Sequence, residues 1–369
     1  MSVAELRTEE FQVNMGPHHP STHGVCRMIL TMDGEKVIAI EPVIGYLHRA
    51  IEKMCENRTY LMIPPLTDRF EYVTAMASNQ VYALAAEKLA EIEVPERAEY
   101  LRVIMVELNR IASHLIFWGV TAMDLGAYTP FLYGLREREL IIDLFEMTCG
   151  QRLTYNYVRI GGVSQDIPKD FIPKCREALD TIESKFSDYE GLLNENPIWL
   201  VRTKGIGVLT PETAIAYGVS GPVLRASGVD YDIRRDDPYS VYNKFDWDVP
   251  VQKEGDCYAR FIQRLDEIKQ SIRIIRQALD GLPQGPIMAK VSPKFKPPAG
   301  ETYSRIESAR GEMGCHLISD GTTKPVRVKL RGSSYNHLQV LPVFGTNCLI
   351  ADLVAIFATL DVILPECDR

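Results

Sequence analysis

The sequence predicts an α+β fold with an N-terminal β-rich region, a central bundle of long helices and a small C-terminal α+β region. An Asp-Gly turn between two apolar stretches indicates an early hairpin, and long stripes of apolar residues at helical spacing follow. A group of prolines then precedes a short strand and a last helix. We therefore expect boundaries at 1–60, 61–285 and 286–369, with the three regions acting as one functional unit.

The N-terminal region is predicted to be mostly β. Phe11 to Met15 alternates weakly, and Cys26 to Ile40 is typical of a hairpin around Asp33-Gly34. The chain is expected to become helical from Glu41. The segment from Gly16 to Gly24 would then connect the first two strands, a common location for reactive groups.

The central region is predicted to be helical because capping and periodicity signals repeat along it. Pro64-Pro65 should break the chain, and Asp68 with Glu71 three residues later is a capping pattern for a helix that ends near Glu93. The next helix should begin at Pro95, a good first-turn residue. Its buried stripe is Leu101, Ile104, Met105, Leu108, Ile111, Ala112 and Leu115. Further helices are predicted at Thr129–Cys149, Ile172–Leu193 and Tyr258–Leu282.

The C-terminal region begins with a change of composition. Prolines 286, 293, 297 and 298 mark a loop. Val326–Leu330 is predicted to be a strand and Ile350–Leu360 the final helix.

Composition excludes several classes of function. The net charge of −8 argues against a nucleic-acid-binding protein, because a phosphate-binding face needs excess Lys and Arg. No apolar run is expected to cross a bilayer, and the N-terminus lacks a signal-peptide pattern. The eight cysteines form no Cys-x-x-Cys pair, so we expect reduced structural thiols in a cytoplasmic protein, with no zinc or iron–sulfur ligation.

The segment Gly16-Pro17-His18-His19-Pro20-Ser21-Thr22-His23-Gly24 carries three of the seven histidines. Its prolines and glycines disfavour a helix, and imidazole titrates near neutral pH. A proton-handling loop is one interpretation, and a metal site or an ordinary polar surface loop are the alternatives.

Two further side chains suggest chemistry. Tyr72 would lie in the first turn of the capped helix, where its phenol can donate a hydrogen bond or a proton to a developing oxyanion. The alternative is a packing role. Asp124 lies in an apolar run, so its carboxylate should have a partner, and a histidine is the natural one. The alternative is a helix end or a turn cap.

Two polar segments are interpreted as structural. The first is Arg225-Ala226-Ser227-Gly228 with Asp230, Asp232 and Arg234, and the second is Glu307 to Glu312. For both, a buried ion-pair network that holds the domains together is the favoured interpretation.

Several segments in order resemble one family. They are Gly16 to Gly24, Gly45-Tyr46-Leu47-His48-Arg49, Glu56 to Tyr60, Arg159 to Val163, Leu224 to Gly228, Glu307 to Glu312 and Asp368-Arg369. From about Phe11 to Arg369 the chain is similar to the quinone-site subunit of respiratory complex I (NADH–quinone oxidoreductase), the 49-kilodalton-subunit family. That family is related to the large subunit of nickel–iron hydrogenases, so the resemblance implies a hydrogenase-like fold.

The resemblance implies roles for particular residues. His23 and Tyr72 match the ligands of the quinone head group, and Asp124 matches an aspartate that pairs with that histidine. His19 matches a second loop histidine of the same pocket.

Two further positions are implied to lie near an iron–sulfur cluster. Arg49 matches an arginine beside the cluster, and Thr154 stands where many members carry a histidine. Loss of that histidine should weaken the pH dependence of the cluster's reduction potential, and it favours a low-potential acceptor such as menaquinone. The ending Ile363 to Cys367 also departs from the usual segment.

The nickel ligands of hydrogenases are not in register. Arg58 is followed by Tyr60 and Ile63 at the two cysteine places of the first motif. In the second motif Asp361 is followed by Ile363 and Glu366 at the two cysteine places, with Arg369 at the histidine place. Because that centre needs four thiolates, the hydrogenase interpretation fails on chemistry.

The resemblance implies a peripheral-arm subunit of a proton-pumping complex I-type oxidoreductase at the cytoplasmic face of the cell membrane. Its partners would be an iron–sulfur small subunit with a 4Fe-4S cluster, other peripheral-arm and membrane-arm subunits, and membrane quinone as substrate. The chain alone is expected to bind no cofactor, with FMN and further iron–sulfur clusters elsewhere in the complex. The alternatives are a relative fed by ferredoxin or a deazaflavin that reduces a quinone or methanophenazine, and a non-enzymatic scaffold.

Overall fold

In the computed structural model, residues 9–22 and 24–369 are described, and they contain three antiparallel sheets. The first sheet consists of β1 (Glu10–Met15), β2 (Arg27–Asp33) and β3 (Lys36–Val43) in that order. Strand β2 alternates strictly, so Met28, Leu30 and Met32 face the core. The hairpin around Asp33-Gly34 is confirmed. The expected helix from Glu41 is wrong, because β3 continues to Val43 and α1 (Ile51–Glu56) begins later.

The central helices surround one long helix. They are α2 (Pro64–Thr67), α3 (Ala75–Ala90), α4 (Glu96–Asp124), α5 (Tyr128–Cys149), α6 (Phe171–Ser184), α7 (Phe186–Leu193), α8 (Pro197–Thr203), α9 (Pro211–Ala216), α10 (Gly221–Ala226), α11 (Ile233–Asp236) and α12 (Cys257–Asp280). Helix α4 packs against α3, α5 and α12. The helix predicted at Ile172–Leu193 is two helices that meet at Lys185.

Helix α4 also passes the length and composition test for a membrane span, the one helix in the described residues that does so. Such a run was not expected from the sequence. However, 89% of the apolar window is buried within the fold, as in the core helix of a protein that does not cross a bilayer there.

The capping pattern at Asp68 did not predict the helix start correctly, since α3 begins at Ala75. Asp68 is buried, and its Oδ1 accepts a hydrogen bond from the Asn156 backbone N–H at 3.4 Å. The backbone N–H of Met76, in the first turn of α3, donates instead to Oδ1 of Asn109 on α4 at 3.2 Å. The cap is therefore supplied by a distant helix, which local sequence patterns do not reveal.

The C-terminal region contains a second three-stranded sheet and the last helices. They are β6 (Gly300–Ser308), β7 (Gly311–Ser319), β8 (Arg327–Arg331), α13 (Ser333–Phe344), α14 (Ile350–Leu360) and α15 (Leu364–Asp368), preceded by the short pair β4 (Val158–Arg159) and β5 (Gly162–Val163). The predicted strand Val326–Leu330 and the predicted helix Ile350–Leu360 are confirmed within one residue. That helix is not the final one as predicted, because α15 follows it, and the long hairpin β6–β7 was not predicted.

Two clusters of buried side chains form the core. The larger one joins α3, α4, α5 and α12 to the β6–β7–β8 sheet. The smaller one joins the N-terminal sheet to α13 and α14. The first and last parts of the sequence therefore share one core.

A buried ion-pair network connects the helices to β6. Arg225 on α10 lies 2.8 Å from Glu267 on α12 and 2.8 Å from Glu307 on β6. Arg234 lies 2.7 Å from Asp232 and 3.2 Å from Glu107 on α4, and all of these side chains are buried. The predicted buried ion pairs are confirmed in both polar segments.

Candidate functional site

The histidine loop is described up to Thr22 and from Gly24 onward, and His23 lies outside the described residues. Residues Pro20–Thr22 form a 3₁₀ turn that packs against α14. His19 is exposed, and its Nδ1 accepts a hydrogen bond from the Ser21 backbone N–H at 3.2 Å. In that arrangement Nε2 carries the ring proton and is available to a ligand.

Tyr72 lies in the turns between α2 and α3, so its predicted place in a first helical turn is wrong. The side chain is 36% exposed. Partial burial raises the pKa of its phenol, and the nearby Arg310 guanidinium opposes that rise. The phenol therefore stays protonated at neutral pH and can donate a hydrogen bond, with the charge of Arg310 in place of a helix dipole.

A buried cluster of opposite charges lies beside Tyr72. Arg310, in the β6–β7 turn, contacts the Glu71 carboxylate at 3.2 Å and the Asp361 carboxylate at 3.2 Å. Glu71 also accepts hydrogen bonds from the backbone N–H groups of Val73 at 3.1 Å and Thr74 at 2.8 Å. Burial raises the pKa of Glu71 to about 7, although Arg310 acts in the opposite direction.

Asp124 is the last residue of α4 and is half-buried. Its position fits the helix-end alternative. Helix α4 packs against α14, as does the 3₁₀ turn beside His19. Asp361, the residue after α14, joins this helix to Arg310 and so to the surroundings of Tyr72. Helix α14 thus contacts both the 3₁₀ turn of the histidine loop and the helix that ends at Asp124.

The two residues expected beside an iron–sulfur cluster, Thr154 and Arg49, do not line one cavity together. Thr154 is half-buried and lines a cavity of about 570 Å³ with Pro65, Arg69 and Arg159. Arg49 is exposed, precedes α1, and is not among the lining residues of that cavity. Its role beside a cluster stays a prediction.

Arg69 is a residue that sequence reasoning missed. Its Nη1 donates a hydrogen bond to the Pro65 carbonyl at 2.8 Å, and Asp68 lies 3.6 Å away. The signal was present in the sequence, because Arg69 is only three residues before Tyr72. Interpreting 68–71 as a helix cap hid it.

The positions that match hydrogenase nickel ligands hold other contacts. Tyr60 packs edge-on against Phe295, with ring centroids 5.6 Å apart. Glu366 accepts hydrogen bonds from the backbone N–H groups of Ser333 at 2.7 Å and Ser334 at 3.2 Å. All eight cysteines are free thiols, and burial raises the pKa of Cys55 to about 12. Among residues 9–22 and 24–369, no group of three or more His, Cys, Asp or Glu side chains is placed to hold a metal.

We expect the purified chain to contain no stoichiometric nickel. A hydrogenase-type centre needs four thiolates, and carboxylates already paired with Arg310 or backbone N–H groups do not replace them. Elemental analysis of the chain after dialysis against a chelator checks this. About one nickel per chain would contradict it.

Comparison with known proteins gives one consistent family. Residues 124–295 and 289–369 match the family described as the respiratory-chain NADH dehydrogenase 49 Kd subunit. The chain is 50% identical over 365 residues to an NADH-quinone oxidoreductase subunit of Clostridium beijerinckii, covering 99% of each. It is 53% identical to the corresponding NADH-quinone oxidoreductase subunit of Dehalococcoides mccartyi strain 195, covering 99% of this chain and 100% of that one. It is also 49% identical to an NAD(P)H-quinone oxidoreductase subunit of Thermosynechococcus vestitus, covering 100% of each.

Proposed function

Because the chain belongs to the 49 Kd subunit family of the respiratory-chain NADH dehydrogenase, we propose that it forms the quinone-reduction site of an NADH–quinone oxidoreductase. In this proposal it is a peripheral subunit at the cytoplasmic face of a membrane-bound complex. Its partners are an iron–sulfur small subunit and further peripheral-arm and membrane-arm subunits. FMN and other clusters belong to those chains.

The observation that carries the proposal is Tyr72, a neutral phenol beside the buried Glu71–Arg310–Asp361 cluster. Reduction of a quinone adds two electrons and two protons and turns both carbonyl oxygens into hydroxyls. A phenol that points at one carbonyl donates a hydrogen bond to it and then its proton. The positive charge of Arg310 stabilises the phenolate that remains.

The second carbonyl is assigned to the histidine loop. His23, with Asp124 as its carboxylate partner, would hold and deliver the other proton, and His19 would line the same pocket. Support comes from the packing of both the loop and α4 on α14. A 4Fe-4S cluster in the partner subunit would supply the electrons, one at a time.

The face around Thr154 is proposed to meet that partner. Exposed apolar side chains flank the cavity segments, namely Met62 just before α2 and Leu153 beside Thr154. Arg69 and Arg159 add positive charge next to a cluster that becomes more negative when reduced. A threonine in place of a titratable side chain favours a low-potential acceptor such as menaquinone.

Replacing Thr154 with histidine should make the reduction potential of the partner's cluster depend on pH. A protonated imidazole favours the reduced, more negative cluster, so the potential should rise as pH falls below the histidine pKa. Thr154 has a φ of +48°, a left-handed conformation that histidine adopts more readily than a β-branched residue, so the backbone should tolerate the change. A redox titration of the complex between about pH 6 and 8 is the measurement.

Thr154→Asn is the matched control, because asparagine also accepts a left-handed backbone but does not titrate. In this variant the reduction potential of the partner's cluster should depend on pH as it does in the wild type. If the His and Asn variants behaved alike, Thr154 would not face the cluster.

The quinone site itself is tested by one ratio in the assembled complex, the rate of quinone reduction divided by the rate of ferricyanide reduction. Ferricyanide takes electrons before the quinone site, so a site defect lowers the ratio, whereas a smaller amount of intact complex lowers both rates and leaves the ratio unchanged.

A further inference from the structure

A tyrosine that protonates quinone must regain a proton before the next turnover. In the proposed complex the chamber is closed by partner subunits, so bulk water is a poor source. Glu71, directly before Tyr72 in the chain, is fully buried and its carboxyl group is held in place by Arg310 and two backbone N–H groups.

The charges around Glu71 favour storage of a proton. The guanidinium of Arg310 is shared between Glu71 and Asp361, and Glu366 adds a third buried carboxyl group nearby. Arg264, 3.8 Å from Asp361, adds a second positive charge, but two guanidinium groups still do not balance three buried carboxylates, and an uncompensated buried carboxylate is costly. Binding a proton relieves that cost. The raised pKa of Glu71, about 7, agrees with this geometry, and so does the raised pKa of Glu366.

Further polar atoms extend inward from the cluster. Asp361 Oδ2 and Arg264 Nε lie 3.8 Å apart, too far for a direct hydrogen bond, and neither has a hydrogen-bond partner among the described residues. Arg264 Nη2 and His337 Nδ1, both buried, also have none within that part of the chain. Orphaned polar atoms at this spacing are the usual setting of an internal water molecule. Such a water molecule would bridge Asp361 and Arg264 and hold Asp361 in place beside Arg310.

We propose that Glu71 holds the proton that reprotonates Tyr72 after each turnover, and that Arg310 and Asp361 position Glu71. The inference rests on the proposed quinone site. The Tyr72 O–H bond breaks as its proton moves to a quinone oxygen. The carboxyl O–H bond of Glu71 then breaks and the phenolic O–H bond of Tyr72 re-forms, with one water molecule carrying the proton because no direct hydrogen bond joins the two side chains among the described residues. Glu71 remains as a carboxylate facing Arg310. Both electrons come from the partner's cluster, and the other proton comes from the histidine loop.

The test is Glu71→Gln in the assembled complex. Glutamine keeps the size of the side chain and an acceptor for the Thr74 N–H, but it cannot donate a proton to Tyr72. We expect the ratio of quinone to ferricyanide reduction to fall at least about tenfold at saturating quinone. Glu71→Asp keeps a titratable carboxyl group and should restore part of the lost rate.

The pH profile separates this role from a structural one. In the wild type, the quinone-reduction rate should fall as pH rises through about 7, because Glu71 then loses the proton that it supplies. The groups facing Glu71 are Arg310, Asp361, Glu366 and Tyr72. Because the histidine loop belongs to the same site and also titrates, the quantity measured is the difference between the pH–rate profiles of the wild type and Glu71→Gln. The fall through about pH 7 should be absent from the profile of the variant.

Glu87→Gln is the matched control. Glu87 is likewise buried and lies 2.6 Å from Arg102, but it contacts neither Tyr72 nor Arg310. It should lower stability without lowering the ratio or changing the pH profile.

Each outcome decides. A normal ratio and an unchanged pH profile in Glu71→Gln, with a low ratio in Tyr72→Phe, would overturn this inference and leave the quinone site standing. Normal ratios in both variants would overturn the quinone site as well. If Glu71→Gln does not assemble, Glu71→Asp is the test. Aspartate should shift the pH at which the quinone-reduction rate falls, so a fall at the same pH as in the wild type would show that another group titrates and would overturn the inference.

Discussion

Tyr72→Phe should slow quinone reduction by about two to three decades, because it removes a hydrogen bond and a proton donor from the transition state, worth roughly 2.7–4 kcal/mol. The ring remains, and no protein hydrogen bond of the Tyr72 hydroxyl is among those of the described residues, so the fold should tolerate the change. The measurement is the ratio of quinone to ferricyanide reduction in the assembled complex. The ferricyanide rate should stay near normal.

Tyr217→Phe is the control, since Tyr217 is 39% exposed, close to the 36% of Tyr72, and lies after α9. It should leave the ratio unchanged. His23→Ala should lower the ratio as well, and the double variant should fall by less than the product of the single effects, because both residues serve one substrate. An unchanged ratio in both single variants would mean that the histidine loop and Tyr72 are structural.

Arg225→Met should destabilise the chain by about 3–5 kcal/mol, the cost of leaving buried carboxylates without their partner. Arg225 contacts Glu267 and Glu307 at 2.8 Å and Asp232 at 3.3 Å, and all four side chains are buried. Methionine fills similar space, so the effect reports charge rather than a cavity. Denaturant unfolding of the purified chain measures it, with the yield of assembled complex as a second readout.

Arg235→Met is the comparison, because Arg235 forms exposed pairs with Asp230 and Asp236 on the same segment. Its effect should stay within about 0.5 kcal/mol. Equal effects of the two substitutions would show that the buried network does not hold α10, α12 and β6 together.

Structural elements that depend on residues close together in the chain were predictable from the sequence. The Asp33-Gly34 hairpin follows from one turn type, and the 29-residue helix α4 follows from the apolar stripe between Leu101 and Leu115. The ion-pair role of Arg225 and Glu307 was also predictable, because charged residues in dense polar segments must find partners when they are buried. The family resemblance came from the order of motifs along the chain.

The candidate site depended on contacts between distant parts of the chain. Arg310 reaches Glu71 across 239 positions, and Asn109 caps α3 from another helix. No local pattern encodes either contact, so the capping signal at Asp68 placed Tyr72 in a helix that begins later. Likewise, Thr154 shares its cavity with Arg69 rather than Arg49.

The sequence by itself determined the order of the elements, the hairpin, the long helices and the family, because these rest on turn chemistry, periodicity and motif order. Only the tertiary structure decided which charge stands beside Tyr72. Burial and opposite charge act through space, so the proton affinity of Glu71 depends on Arg310, Asp361 and Glu366, which the chain supplies from two segments more than 200 residues away.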